Sequence, residues 1–553
     1  MKNPASCRTR ITARSHCTAE GTATMNQKKL LPAIVCLACS VTVAPAAEPA
    51  RMPLLMPDDF DQMNVVFWRV EPAAPDAENP LLEGDTPWDA GGVMTHGTVL
   101  RDPIDGLYKA WIICTPPEEE LAEVSTRNHY DRRLCYFEST DGVHWTRPNL
   151  PDSALGDHQA TNVVFDDTDD GGTQYASVNV DPANRAWPYE MFVYRNMYGR
   201  TEPGHTHLHH YRSPNGKTWE LVHGPIKGPF TSDVCFIYPA RFLDPDRDGG
   251  YVAYYRVGAP DPEATIPVYE GSGSTTRQLY RAESRDGKEW VDAEKIIMRD
   301  ERDHRDTQYM ELVPERVPGG YLGVVSIYHP ITQTLNLRLA ASRDGRRWWF
   351  PDRRPCLDNP PLGEYGSGMI WQSKSLVAEG ERLYVYYGGM EGLHRPIVDT
   401  RGQGFRQIGM DSVLDRPHGF LPFNSALCRA SWRVDRLYAL VSAAGGFTVG
   451  TAVTKPRRLA GRQLRVNFLT RPPKKSTKPG FDEGYLQVEL LDAQGNPLPG
   501  FTRDDCPRLK GDHRALVVKW AGGDRAPEQT ARAKFTLKRA FLYGFELGPP
   551  PSS

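Results

Sequence analysis

The chain is 553 residues long with a formal net charge of −3. That length exceeds the roughly 250–300 residues at which one hydrophobic core stops growing, so two domains are expected. So slight a charge gives no electrostatic hold on nucleic acid or on an anionic membrane, and no stretch reaches the ~18 uninterrupted apolar residues of a spanning helix.

In chain order, residues 1–24 read as an upstream extension from a misplaced start codon, and residues 25–47 as a signal peptide. Lys28 and Lys29 supply a positive start, Leu30 to Val43 an apolar run, and Ala44-Pro45-Ala46 a small-residue cleavage site. A secreted or periplasmic location is expected. A lipid anchor on Cys39 is the weaker alternative, because Cys36-Leu37-Ala38 is a poor lipoprotein signal. Four of the ten cysteines lie in this leader. The other six (Cys114, Cys135, Cys235, Cys356, Cys428 and Cys506) form no CxxC pair and no Cys/His cluster. Cys114 and Cys135 could bridge in an oxidising compartment; the equal alternative is that all six are small buried hydrophobes.

Residues 48–87 are Pro-rich and irregular, with one strand expected at Met63–Val70. This segment is expected to pack outside the body that follows or to close one of its sheets. From 88 to 430 two phrases recur in phase. Ser139-Thr140-Asp141-Gly142-Val143-His144-Trp145 returns at Ser213–Trp219, Ser284–Trp290 and Ser342–Trp348 as Ser-x-(Asp/Asn)-Gly-x-x-Trp. Each copy follows a short strand-like run, so the Asp-Gly or Asn-Gly pair sits where a hairpin turns. These turns are read as folding punctuation. The second phrase is a Tyr-rich alternating strand containing Tyr108, Tyr189, Tyr251, Tyr321 and Tyr384. Each unit therefore reads as a four-stranded antiparallel sheet, and five of them arranged radially make a five-bladed β-propeller. The fifth unit has no Ser-x-Asp-Gly turn, and Gly409 to Phe423 stand as its candidate outer strands. Residues 451–553 alternate apolar and polar positions over Leu464–Leu469, Gly484–Leu491, Ala515–Trp520, Ala533–Leu537 and Phe541–Leu547, which indicates a C-terminal β-sandwich. The fold class expected is all-β.

The innermost strand of each propeller blade runs beside the central channel, so the loop leading into it delivers side chains to one shared mouth. Each of the five lead-ins carries a carboxylate. Carboxylates converging from different blades supply what cleavage of a glycosidic bond requires, a raised-pKa acid and an ionised partner. Asp89, Asp233, Asp306 and Glu364 are the catalytic candidates, and Glu311 competes with Asp306 for its role. For each Asp, a turn cap or an arginine partner is the structural alternative. Trp88, His96, Arg305, Gln308, Trp371 and His394 are the candidate substrate-binding residues. In the second unit, calcium or solvation competes with catalysis for Asp169 and Asp170. His205, His207 and His209 alternate along a strand, as metal ligands would, although strand packing is the more economical reading. No organic cofactor is called for, and any calcium would be structural.

Together with Pro87-Trp88-Asp89-Ala90-Gly91-Gly92, Gly366-Ser367-Gly368-Met369-Ile370 and Tyr386-Tyr387-Gly388-Gly389, these repeats and the trailing sandwich resemble the five-bladed propeller glycosidases, over about residues 60 to 550. Those are glycoside hydrolase families 32 and 43 and their relatives, especially secreted family-32-like bacterial proteins. The resemblance implies a glycosidase acting on a plant or algal oligo- or polysaccharide, with Asp89 as nucleophile or base and Asp233 or Asp306 as stabiliser or acid. An invertase-type Trp-Met-Asn-Asp-Pro-Asn-Gly and a Glu-Cys acid motif are absent, so fructan is not implied. The rival readings are a carbohydrate-binding propeller without catalysis, and a polysaccharide lyase using His304, Arg305 and Tyr309.

Overall fold

Alternation of apolar and polar residues produces strands almost throughout. The computed structural model describes residues 51–116, 132–166, 172–195, 207–230, 232–260, 275–394, 425–443, 448–459, 461–471 and 483–548. The leader, Asp169, Asp170, His205 and the segment Gly409 to Phe423 lie outside the described residues. Among the described residues the helical segments are the turns Pro57–Asp59 and Ala240–Leu243, and no helix is long and apolar enough to cross a membrane. The fold is all-β.

Between residues 92 and 433 the strands form successive antiparallel units. Unit one contains Gly92–Arg101, Tyr108–Thr115, Arg133–Ser139 and Val163–Phe165; unit two contains Thr173–Val180, Tyr189–Arg195, Leu208–Ser213 and Glu220–His223. Unit three contains Cys235–Pro239, Tyr251–Pro260, Thr275–Ser284 and Trp290–Ile297. Unit four contains Gln308–Val317, Gly320–His329 and Thr334–Ser342, with Trp349 and Leu357 bridging back onto its last strand. Unit five contains Met369–Glu379, Arg382–Met390 and Ser425–Arg433. A single parallel pair, Leu335 with Met369, joins units four and five.

The fourth element of unit five comes from the start of the chain. Ala74 and Pro75 pair with Ser431 and Ala430, and Leu82 bridges to Leu427. Asp76 accepts a 2.6 Å hydrogen bond from Arg429, and the Asn79 side chain both donates to and accepts from the Arg429 backbone.

The repeated phrase makes the same local structure four times. In each copy the Ser hydroxyl accepts the Gly N–H at 2.8–2.9 Å. The Asp or Asn side chain accepts the next two N–H groups, as in Val143 and His144 at 2.8 and 2.9 Å. All four glycines have φ between 69° and 76°, the left-handed region in which a Cβ is strained. The turn so formed presses on an aromatic ring of the preceding unit. Trp111 of unit one donates to Gly216 O of unit two at 2.6 Å, and Tyr254 of unit three to Gly345 O of unit four at 3.1 Å. Tyr386 of unit five donates to Gly142 O of unit one at 3.0 Å. Between units two and three the contact is apolar, with a Cβ on Gly287 falling 3.3 Å from Phe192.

A separate pair of sheets encloses a core of Leu440, Leu464, Val466, Phe468, Leu486, Val488, Phe535, Leu537 and Phe545. One sheet joins Phe60–Asn64, Gly450–Thr454, Thr530–Lys538, Arg457–Arg458 and Tyr485–Leu491; the other joins Val66–Val70, Tyr438–Ser442, Ala540–Gly548, Gln463–Thr470 and Asp512–Val517. The single strand expected over 63–70 is thus two, separated at Val65, whose φ of 56° turns the chain from one sheet to the other. The strand expected over 515–520 instead ends at Val517, so Trp520 is free to fill the core and donate to Val488 O at 2.7 Å. Cys114 and Cys135 are not bridged; all six cysteines are free and buried.

Gly216→Ala is expected to cost more stability than Gly106→Ala. Both glycines have positive φ, but a Cβ on Gly106 meets open space while one on Gly216 falls 2.8 Å from the Trp111 ring. Urea denaturation should give about 1–2 kcal/mol for the left-handed conformation alone, and roughly 1–3 kcal/mol more at Gly216 for the overlap.

Candidate functional site

The first strands of the units are tied together by polar side chains. Thr98 donates to Ala176 O and Ser177 to Ile237 O at 2.9 Å, which links units one, two and three. Thr95 of unit one bonds to Trp371 O of unit five, and Gln372 of unit five donates to Val324 O of unit four at 3.1 Å. Buried Lys374 of unit five donates to Val178 O at 2.9 Å, while Tyr238 donates to Lys374 O at 2.7 Å.

The structure separates the predicted carboxylates. Asp89 has no exposed side-chain surface. Its carboxylate accepts the Asp85 and Thr86 N–H groups at 2.9 and 2.7 Å and the Arg147 guanidinium at 2.8 Å. It is the turn cap and arginine partner of the structural alternative, and its bonds are filled. Glu364 stands exposed on the turn before Met369–Glu379, and its carboxylate makes no hydrogen bond or ion pair among the described residues.

Asp233, Asp306 and Glu311 lie in polar surroundings of another kind. The Asp233 side chain is 32 % exposed and pairs with Arg256, and Ser232 donates to it at 2.9 Å. Burial raises its pKa, but Arg256, Ser232, His96 and Arg132 outweigh that and leave it below the usual carboxylate value. The Asp306 side chain is 9 % exposed and lies 2.6 Å from His304 Nδ1 and 3.5 Å from His329 Nδ1. Burial acts upward here as well, and the two imidazoles bring the net shift downward.

Glu311 is the opposite case. It is 1 % exposed, in the first strand of unit four. Oε2 accepts a 2.7 Å hydrogen bond from Ser326, while Oε1 has no hydrogen bond of ordinary geometry. Burial pushes its pKa up to about 8, with Ser326, Tyr175 and Arg256 opposing and Asp233 adding to the rise. Two carboxylates that feel each other are thus held in opposite protonation states near neutrality.

Of the predicted binding residues, four fall in one run. The His96 ring stacks on Tyr175 at 4.4 Å and meets Trp371 edge-on at 4.4 Å. Trp371 is followed by His394 at 6.1 Å, and His394 by Tyr328 at 4.6 Å. Arg277 lies over the Tyr328 ring at 4.6 Å and donates to Gln308 Oε1 at 2.9 Å. His96 sits in a bulge of its strand with φ 24°, and both its ring nitrogens are buried without a hydrogen bond. Burial, with Arg132 nearby, keeps that ring neutral. Trp88 and Arg305 stand apart. Trp88 is buried against His158 and donates to Asn162 at 2.6 Å, and Arg305 is exposed on its turn. Tyr309, the base offered by the lyase reading, is buried with its hydroxyl donating to Asp303 at 2.7 Å.

Arg256, Arg277, Tyr175 and His329 escape sequence reasoning. Each lies inside a regular strand with no turn or motif to mark it; the one available signal is that Arg256 continues the Tyr-rich strand directly after Tyr255. Among the described residues no group of three or more His, Cys, Asp or Glu is arranged to hold a metal. His209 is buried in its strand with a pKa pushed down to about 4 by desolvation, in keeping with strand packing.

No protein-family model matches the sequence, and no curated protein matches it. Solved structures do. One comes from the GH130 family of mannoside phosphorylases, described as containing glycoside hydrolases that target β-1,2 mannosidic linkages in Candida mannan. It is 14 % identical, covers 69 % of this chain and 97 % of its own, and has a TM-score of 0.41. A β-1,2-mannobiose phosphorylase from Listeria innocua is 12 % identical, with 66 % and 98 % covered and a TM-score of 0.40. A glycosyl hydrolase from Bacteroides ovatus is 14 % identical, with 67 % and 95 % covered and a TM-score of 0.39.

The raised pKa of Glu311 has a sign that stability measurements can read. The unfolded chain releases this proton near the ordinary value of 4.5 and the folded chain near 8, so the native protein loses stability as pH rises between the two. The thermal stability of a Glu311→Gln variant relative to the native chain should therefore climb from about pH 5 to pH 8 and level off above.

Proposed function

We propose that the five units close into a five-bladed propeller and that the chain is a secreted or periplasmic glycoside hydrolase of the kind found in families 32 and 43, cleaving a plant or algal oligo- or polysaccharide. Closure is supported by the succession of side-chain links between first strands and by the return of unit five onto unit one through Thr95 and Tyr386. Export is supported by the basic, apolar and small-residue succession over residues 25–47.

The observation that carries the chemistry is the opposed pair of Asp233 and Glu311. An ionised carboxylate that solvent can reach, beside a protonated one sequestered from it, matches the division of labour in glycosidic bond cleavage. Asp233 activates water or attacks carbon, and Glu311 protonates the leaving oxygen. For that proton to be useful, the departing oxygen must come within hydrogen-bond reach of Oε1, so the sugar enters beside Asp233 and Tyr175. The run His96, Trp371, His394 and Tyr328 gives that sugar an aromatic flank, and Gln308 with Arg277 supplies hydrogen bonds to its hydroxyls. Asp306, clasped by His304 and His329, positions the polar side of the mouth.

The test is a panel of defined plant and algal glycans with products read by mass. Saturated sugars should appear with the native chain, and Glu311→Gln and Asp233→Asn should each lower kcat by roughly 10²–10⁴ while glycan binding survives. Asp89→Asn should cost stability and leave the kcat of the folded protein near the native value. Products lighter by one water would replace hydrolysis with elimination. Binding without release would leave a sugar-binding propeller.

A further inference from the structure

Glu311 is held by a second residue that it does not touch. Ser326 Oγ lies 2.7 Å from Glu311 Oε2, and Gln372 Nε2 lies 3.0 Å from Ser326 Oγ. Gln372 also places Nε2 3.1 Å from Val324 O. All three side chains are fully or almost fully buried. A backbone carbonyl can only accept, so the amide edge facing it must be the NH₂ group, which fixes which way Gln372 points. That group then donates its other hydrogen to Ser326 Oγ. With one Ser326 lone pair engaged, the hydroxyl hydrogen needs an acceptor, and Glu311 Oε2 is the acceptor its hydrogen bonds provide. Every donor in the line points toward Glu311, and the line ends on Oε2.

Resting on the assignment of Glu311 as the acid, we infer that Gln372 and Ser326 form a directional relay from unit five to unit four that keeps Oε2 an acceptor and holds the acidic proton on Oε1. An acid whose proton occupies either oxygen presents it half the time to the protein. Here Oε2 is closed by a donor of ordinary geometry and Oε1 is not, although the Tyr175 hydroxyl also acts on this carboxyl. Other ionisable groups that bear on Glu311 include Tyr175 from the first strand of unit two, Asp233 from the lead-in of unit three, Tyr238 from the first strand of unit three and Arg256 from its second strand. Ser326 and Gln372 carry no charge; the Ser326 hydrogen bond favours the ionised form of Glu311, and the line of donors orients the proton. They are positioning residues, since neither reaches the sugar.

The experiment uses the full mature chain and reads the carboxylic acid directly. The C=O stretch of protonated Glu311 is located by infrared difference spectroscopy as the band that Glu311→Gln removes, and is followed with pH in Ser326→Ala, Ser326→Thr and Gln372→Met. Circular dichroism confirms that each variant is folded. In Ser326→Ala the ionised form loses a donor, so the band should persist to higher pH, the basic limb of the pH–rate profile should move the same way, and kcat should fall roughly tenfold with KM little changed. Ser326→Thr, which keeps the hydroxyl, should restore the native profile. Gln372→Met is the deciding variant, because Gln372 has no contact with Glu311. Freed from its donor, Ser326 can turn to accept, and the Glu311 band should shift in frequency. A Glu311 band unchanged in frequency and pH dependence in Gln372→Met would overturn the relay. Native activity in Glu311→Gln would remove the acid assignment instead, and the band would still decide where the proton is held.

Discussion

The structure depends on a contact between a glycine turn of one unit and an aromatic ring of the unit before it. A sheet of three or four strands is marginal alone, and its neighbours in this chain are separate sheets with few backbone hydrogen bonds between them. The Ser-x-Asp-Gly turn supplies the missing cohesion. Its serine and aspartate satisfy the turn's own N–H groups, which leaves the glycine carbonyl pointing outward to accept from Trp111, Tyr254 or Tyr386. Glycine is required twice over, for its positive φ and because the ring occupies the place of a Cβ. One short phrase thus both ends a hairpin and fastens adjacent units.

The same burial that secures the units sets the chemistry of the site. Desolvation raises every carboxylate it covers, and whether the acid ends protonated depends on what cations and donors stand close. Arg256 pairs with Asp233 and keeps it ionised; Glu311 has a serine hydroxyl and a tyrosine nearby, too little to offset its burial. Asp306 shows the intermediate arrangement, with two imidazoles in place of a guanidinium. Asp89, the most deeply covered of the four predicted acids, is the least available, because Arg147 and two N–H groups already use its oxygens.

Much of the β architecture was legible because it repeats. Four copies of a turn with a mechanical reason for each residue type locate the hairpins, and the period-2 strands between them follow. That residues 48–87 would close one of the sheets was expected, and Ala74-Pro75 does join unit five; which strand it would join was not legible. Nothing local in Ala74-Pro75 says that it will lie beside Ser431, and Val65 is an improbable place for a left-handed residue. At the site, position in the chain showed which loops carry carboxylates and did not show how each carboxylate is held. Asp89 and Glu364 occupy equivalent lead-ins, yet a single arginine contributed by the turn at Arg147 draws one inward, while the other stays at the surface. Glu311 was recognisable as a competitor to Asp306 from its place in the strand that follows it, but the strength of its burial is set by side chains from other units.

The strand that completes unit five also governs the order in which the molecule can assemble. Asp76 and Arg429, which clamp that strand in place, are 353 residues apart, and Phe60–Val70 waits for partners that begin at Tyr438. Contacts of such sequence separation are reached late and slowly, because the closure entropy of a long loop has to be met before any bond rewards it. A chain leaving the ribosome therefore presents its earliest segments without partners until most of the remainder has been made. Units two and three, whose strands pair only with near neighbours, are free to form first. The return of the beginning of the chain carries a large loop-closure cost, and it ties segments far apart in sequence into the same sheets.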